Sequence, residues 1–332
     1  MSAEKIISDW EKKQFKPVYW LEGEEDYFID KVMDFAEHRI LPESEAGFNL
    51  TIFYGKDAAW ADVINACRRY PMFAERQVVL LKEAQQMRDI EKLEAYIASP
   101  LGSTILVVSY KDKKVDGRSK LAKLLKEKAV MLTTKKMYEN KLPEWTHEMV
   151  QSKGYNITQK AVMLLIDHTG NDLTRISNEI EKILVNLGKK KTIAEEDIEE
   201  FIGISKDFNV FELQSAIAAR DLAKALLIIQ YFAANPKAAP IQLVLPSLYG
   251  FFSKVFMIHG IPTRDEKTIA QSIGVPPFFI KDYLLAARNY NYSGAEKILI
   301  LLHQYNLKSV GIHDGGTEDA SLLKEMVFKM IS

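Results

Sequence analysis

Val18-Tyr-Trp-Leu-Glu-Gly-Glu-Glu-Asp-Tyr-Phe-Ile-Asp30 decides how this chain folds. A short apolar run ends in a glycine turn, and Phe28, Val32, Phe35, Ala36 and Ile40 then recur at helical spacing. That is the strand–turn–helix order in which a phosphate-binding loop is built. There, glycine-rich backbone N–H groups cradle phosphates, a lysine meets the β/γ-phosphates and a hydroxyl reaches magnesium. Counted from Gly23, Phe28 stands at the second glycine, Ile29 at the lysine and Asp30 at the hydroxyl. Glu24, Glu25 and Asp26 suit the positive end of a helix dipole and would repel a triphosphate. The frame of a nucleotide site is present and its ligands are missing.

Outward from this stretch, Leu50–Tyr54, Gln77–Leu81, Thr104–Val108 and Val130–Thr133 read as further strands. Helix-length segments separate them, which predicts βαβ units and a mostly parallel sheet over residues 1–140. The third strand runs into Lys82-Glu83, so the acidic metal position at a strand end is also degraded. After Lys141 the period changes. Leu173, Ile176, Ile180, Ile183 and Leu187 follow helical spacing, as do Ile241, Leu245, Leu248, Phe252 and Val255, and no convincing strand follows. The expected organisation is an α/β domain at 1–140, a small helical domain at 141–208 and a second all-helical domain at 209–332.

Composition narrows the function. The 332 residues are 47% apolar and 27% charged, with a formal net charge of −1, so no whole-molecule field advertises a polyanion partner. One cysteine, Cys67, excludes an internal disulfide and a four-cysteine zinc module. No apolar run approaches the ~20 residues of a membrane span, and the first residues lack a signal peptide's apolar core. A cytoplasmic protein with no membrane contact is expected. The histidines are scattered, and His313 and Asp314 in Gly311-Ile-His-Asp-Gly-Gly316 lack ligand spacing and read as a polar loop. No catalytic, cofactor or metal residue is assigned.

Two surface features remain. Pro71 stops a helix and leaves Met72 and Phe73 in a short connector bracketed by Arg68, Arg69, Glu75 and Arg76. The pair fits either a hydrophobic cap folded onto that helix or a plug that enters a partner's pocket. Between Lys111 and Lys141, Lys113, Lys114, Arg118, Lys120 and Lys123 lead a basic stretch in which Leu121, Leu124 and Leu125 face inward. A solvated helix face is one reading and a patch facing DNA or another subunit is the other.

Several stretches in order carry a resemblance. They are the opening segment, Phe48-Asn-Leu-Thr-Ile-Phe-Tyr-Gly55 and Tyr70-Pro-Met-Phe-Ala-Glu-Arg-Gln-Val-Val79. Gly170-Asn-Asp-Leu-Thr-Arg-Ile-Ser-Asn-Glu-Ile-Glu-Lys182, Asn209-Val-Phe-Glu-Leu213 and Gly274-Val-Pro-Pro-Phe-Phe-Ile-Lys281 continue it. The chain resembles the delta subunits of bacterial DNA polymerase III clamp loaders over nearly its whole length. The resemblance implies an AAA+-type α/β domain without a functional P-loop, a small helical lid and a helical collar. It implies a subunit that does not hydrolyse ATP and is no enzyme alone, but part of a DNA-directed DNA polymerase (nucleotidyltransferase) holoenzyme. Implied partners are the beta sliding clamp, delta-prime and gamma/tau through the collar, and primed DNA within the complex. The family's clamp contact, an apolar pair after the second helix, matches Met72 and Phe73, with Met72 where leucine is frequent.

Two alternatives stay open. An active AAA+ ATPase subunit would need a phosphate lysine; Asn65-Ala66-Cys67 also departs from the Ser-Arg-Cys motif of the family's gamma/tau and delta-prime relatives. A free-standing DNA-binding protein is disfavoured by the near-zero net charge.

Overall fold

The computed structural model describes residues 1–236, 239–313 and 316–332. Asp314, weighed above as a metal ligand, lies outside them. The chain divides into two compact units, Met1–Met137 and Tyr138–Ser332.

The first unit holds five strands, β1 (Val18–Gly23), β2 (Leu50–Tyr54), β3 (Gln77–Lys82), β4 (Thr104–Lys111) and β5 (Val130–Thr134). They form one parallel sheet in the order β2-β3-β4-β1-β5. This is the parallel α/β architecture expected from the sequence. Its helices are α1 (Ala3–Glu11), α2 (Asp26–His38), α3 (Glu43–Asn49), α4 (Trp60–Cys67), α5 (Glu94–Ile97) and α6 (Lys120–Lys128). Side chains alternate across each strand, and both faces are covered. Tyr19, Leu21, Val78, Leu80, Ile105 and Val107 pack with α1 and α2. Val18, Trp20, Val79, Leu81, Leu106 and Val108 pack with α4, α5 and α6.

Helix α2 is rotated slightly from the expected face. Ile29, Val32, Met33 and Ala36 are its buried residues, whereas Phe28 and Phe35 are half-buried at the edge of the same core. Large rings at a stripe's border cover apolar surface without being enclosed, which blurs the phase read from sequence.

The second unit is helical: α7 (Leu142–Ser152), α8 (Gln159–Thr169), α9 (Leu173–Asn186), α10 (Glu195–Ile202), α11 (Val210–Ala218) and α12 (Leu222–Ala234) come first. Then follow α13 (Ile241–Ile258), α14 (Glu266–Ile273), α15 (Ile280–Asn289), α16 (Tyr292–Ser309) and α17 (Asp319–Ile331). The stripe on α9 is buried throughout, as is the stripe on α13. One expectation fails here: Asn156–Ile157 and Thr192–Ile193 pair as a two-stranded parallel sheet. Two residues per strand are too few to show an alternating pattern.

By length and composition α13 is apolar enough to cross a membrane. Its Ile241, Val244, Leu248, Phe252 and Val255 are instead buried in the unit's main core. Gln242, Ser247, Ser253 and Lys254 interrupt the apolar run in sequence, so the element does not read as a span there.

Candidate functional site

In the sheet order, β1 lies between β4 and β5 while the chain leaves it for β2 at the far edge. That reversal places a crevice at the carboxyl ends of the strands, where open α/β sheets bind ligands. In this chain the crevice is a cavity of about 310 Å³ whose lining includes Asp30, Glu37, Lys82, Glu83 and Lys111, charged groups that pair with one another.

Gly23 has φ of +129°, and a Cβ there would run into the backbone and hydroxyl of Thr134 on β5. Its glycine character serves close strand packing. The Glu25 backbone N–H donates to Thr134 Oγ1 at 3.1 Å, and the Glu25 carboxylate accepts from the Met137 N–H at 3.3 Å. Burial raises the Glu25 carboxyl above the usual range, opposed by that N–H and by Lys136, 3.9 Å away. Ile29, at the phosphate lysine's position, is fully buried.

Lys111, at the end of β4, lines the crevice. Its ammonium lies 2.7 Å from Asp30 on α2 and 3.5 Å from Glu83 just after β3. Burial alone would lower its pKa, but the hydrogen bond to Asp30 and the charges of Asp30, Asp26 and Glu83 hold it above the ordinary lysine value. Lys82 pairs with Glu37 at 2.5 Å. Sequence reading placed Lys111 in the basic run; only the ends of β3, β4 and α2 coming together reveal its anionic partners. Among the described residues, no cluster of histidine, cysteine and carboxylates could hold a metal ion. Cys67 is buried and its thiol is pushed up to about 12 by desolvation, which makes it inert as a nucleophile.

Met72 and Phe73 lie between α4 and the start of β3, at the opposite end of the strands from this crevice. Strand β3 has six residues and separates the two by roughly 20 Å at ~3.3 Å per residue. Met72 is 53% exposed, Phe73 98% and Tyr70 79%. Phe73 has φ of +55°, a left-handed backbone unusual for a bulky residue. The pair therefore projects and does not fold back as a cap.

The base of the connector is tied down by groups that the sequence did not single out. Asn49, only 2% exposed at the end of α3, accepts the Met72 N–H at 2.7 Å and donates to the Met72 carbonyl at 3.0 Å. It also donates to the Glu45 carbonyl at 3.1 Å. Gln77 Nε2 donates to the carbonyls of Ala66 and Arg69, at 3.1 and 2.6 Å. Thr104 Oγ1 donates to the Cys67 carbonyl at 2.9 Å. The Arg76 guanidinium stacks over Phe15 at 4.4 Å. Phe48, beside Asn49, is 72% exposed. No local spacing announces the Asn49–Met72 pairing, because the two are 23 residues apart.

The basic residues follow β4 and lie at the crevice end of the strands, not at the tip. Lys113, Lys114, Arg118, Lys120 and Lys123 are all exposed. Lys113 sits over the Tyr110 ring at 5.9 Å and Lys120 pairs with Glu94 at 2.9 Å. Leu121 and Leu125 of α6 are buried and Leu124 packs partly against the same core.

Residues 19–135 match the family model described as DNA polymerase III, delta subunit. This region is similar to the delta-subunit family. The matched residues include both the residues that line the crevice and the Met72–Phe73 tip. The whole chain is similar to DNA polymerase III subunit delta of Bacillus subtilis, at 24% identity across 95% of this chain and 92% of that protein. It is also similar to the probable subunit delta of Aquifex aeolicus, at 20% identity across 80% of this chain and 77% of the other. A solved Bacillus subtilis DNA clamp loader delta protein shares the fold, with a TM-score of 0.57, 22% identity and 99% of both chains covered.

Proposed function

We propose that this chain is the clamp-engaging subunit of a bacterial replicative clamp loader. It binds the beta sliding clamp through Met72 and Phe73, favours the clamp's opened form, and neither binds nor hydrolyses ATP. The observation that carries this reading is Phe73, 98% exposed on a connector whose backbone is held from beneath. Burying Met72 and Phe73 in a partner yields roughly 1.5–3 kcal/mol each before ordering costs. That makes a hot spot within a larger interface. Such a plug opens a ring only by binding the opened geometry better than the closed one.

An ATPase reading is disfavoured by Ile29, buried where a phosphate lysine would stand, and by Lys111, already engaged by Asp30 and Glu83. Neighbouring gamma/tau subunits would then supply ATP hydrolysis, in a ring that also holds delta-prime. In this reading residues 141–208 form the lid and 209–332 the collar that joins the ring, and primed DNA is met by the assembled complex in the cytoplasm.

The test is to mix the chain with purified beta clamp without nucleotide and follow co-elution. A stable complex is expected. Complex formation only when ATP is added contradicts the proposal.

A further inference from the structure

The tip's exposed side chains stand on a backbone that they do not themselves hold. A bulky residue at φ near +55°, as Phe73 is, sits in a strained left-handed conformation. It persists only where its surroundings over-determine it. The nearest such constraint is Asn49. Its planar amide offers one acceptor and two donors, and all are used: Met72 N–H, Met72 carbonyl and Glu45 carbonyl. The amide pairs with the Met72 peptide groups as a neighbouring strand would. Aspartate lacks the donors, leucine lacks both functions, and glutamine is one methylene too long for the same register.

We infer that Asn49 is the positioning residue of the tip: it clamps the Met72 backbone so that Met72 and Phe73 are presented in one preformed geometry. A residue buried at the end of α3 thereby acts on binding through another residue. Preorganisation lowers the ordering cost that a free connector would incur on docking. The gain lies in the tip's readiness, since Asn49 is too enclosed to touch a partner. This inference rests on the clamp-binding reading of the tip, and its test separates the two.

The first measurement is amide hydrogen exchange on the intact wild-type chain. The Met72 amide is expected to exchange at least tenfold more slowly than an unstructured reference; exchange at the unstructured rate overturns the inference without any variant. The second compares Asn49→Ala and Phe73→Ala for affinity to purified beta clamp. Asn49→Ala is expected to speed exchange at Met72 while Val78–Leu81 stay protected, and to weaken clamp binding about tenfold. If Phe73→Ala weakens binding and Asn49→Ala does not, the positioning role is wrong and the tip reading stands. If Phe73→Ala has no effect, the tip reading fails, and the exchange at Met72 still decides whether Asn49 fixes the connector.

Discussion

The Lys111 ammonium lies 2.7 Å from the Asp30 carboxylate, joining the end of β4 to the helix that follows β1. Asp30 stands where a phosphate loop carries its magnesium-binding hydroxyl, so an internal cation occupies the place of an external one. Removing that cation leaves Asp30, Asp26 and Glu83 facing each other. Lys111→Met is expected to destabilise the first unit by about 1 kcal/mol, a small figure because Asp30 is half exposed. Thermal denaturation checks it, and a calorimetric ATP titration of wild type and variant should show no binding in either. An unchanged midpoint, or ATP binding by the wild-type chain, contradicts this account of the crevice.

Gly23 supplies a second check on the same crevice. At φ of +129°, with Thr134 against its α-carbon, it leaves no room for a side chain. Gly23→Ala is expected to cost more than about 1 kcal/mol, through strain and through separation of β1 from β5. A phosphate-cradling glycine would change ligand binding with little effect on stability, so chemical denaturation in the absence of nucleotide discriminates the two roles.

Much of this domain was readable from the sequence because parallel strands are buried on both faces and appear as plain apolar runs. All five strands of the large sheet begin where Val18, Leu50, Gln77, Thr104 and Val130 place them. The emptiness of the nucleotide site was also legible, since Phe28, Ile29 and Asp30 are the wrong residues wherever they point. What replaced the ligand was not legible. Lys111 meets Asp30 across 81 residues and Asn49 meets Met72 across 23, and neither pairing has a local period. The tip itself was ambiguous, because an apolar pair after a helix suits a cap as well as a plug. Exposure of Phe73 chooses between them.

In the second unit, Asp167 of α8 accepts a hydrogen bond from Ser247 of α13 at 3.2 Å, and Ser247 in turn accepts from Gln214 at 2.9 Å. Desolvation raises the Asp167 carboxyl to about 6, against the lowering effect of Ser247. A carboxyl whose folded pKa exceeds its unfolded value binds more protons in the native state between the two. Its contribution is therefore most favourable below about pH 4 and declines as pH rises through about 6. Asp167→Asn keeps an acceptor for Ser247 and removes the charge. It is expected to raise the unit's midpoint by a few degrees at pH 7.5, on the order of 1 kcal/mol, and to lose that advantage below pH 4. An equal effect at both pH values contradicts the assignment.

The basic stretch after β4 is expected to behave as a solvated face. Lys113→Glu with Arg118→Glu should leave the thermal midpoint within about 0.5 kcal/mol of wild type. The salt dependence of primed-DNA binding by the assembled loader should not change. A slope shallower by roughly one for each phosphate no longer neutralised would instead assign these residues to DNA.

The central claim is that this chain grips a sliding clamp through Met72 and Phe73 and needs no nucleotide to do so. An equilibrium titration of beta clamp into wild type and into the Met72→Ala/Phe73→Ala variant, without ATP, addresses it directly. The account predicts a loss of at least a hundredfold in affinity, about 2.7 kcal/mol, with an unchanged thermal midpoint. Equal affinity in the two proteins would contradict it.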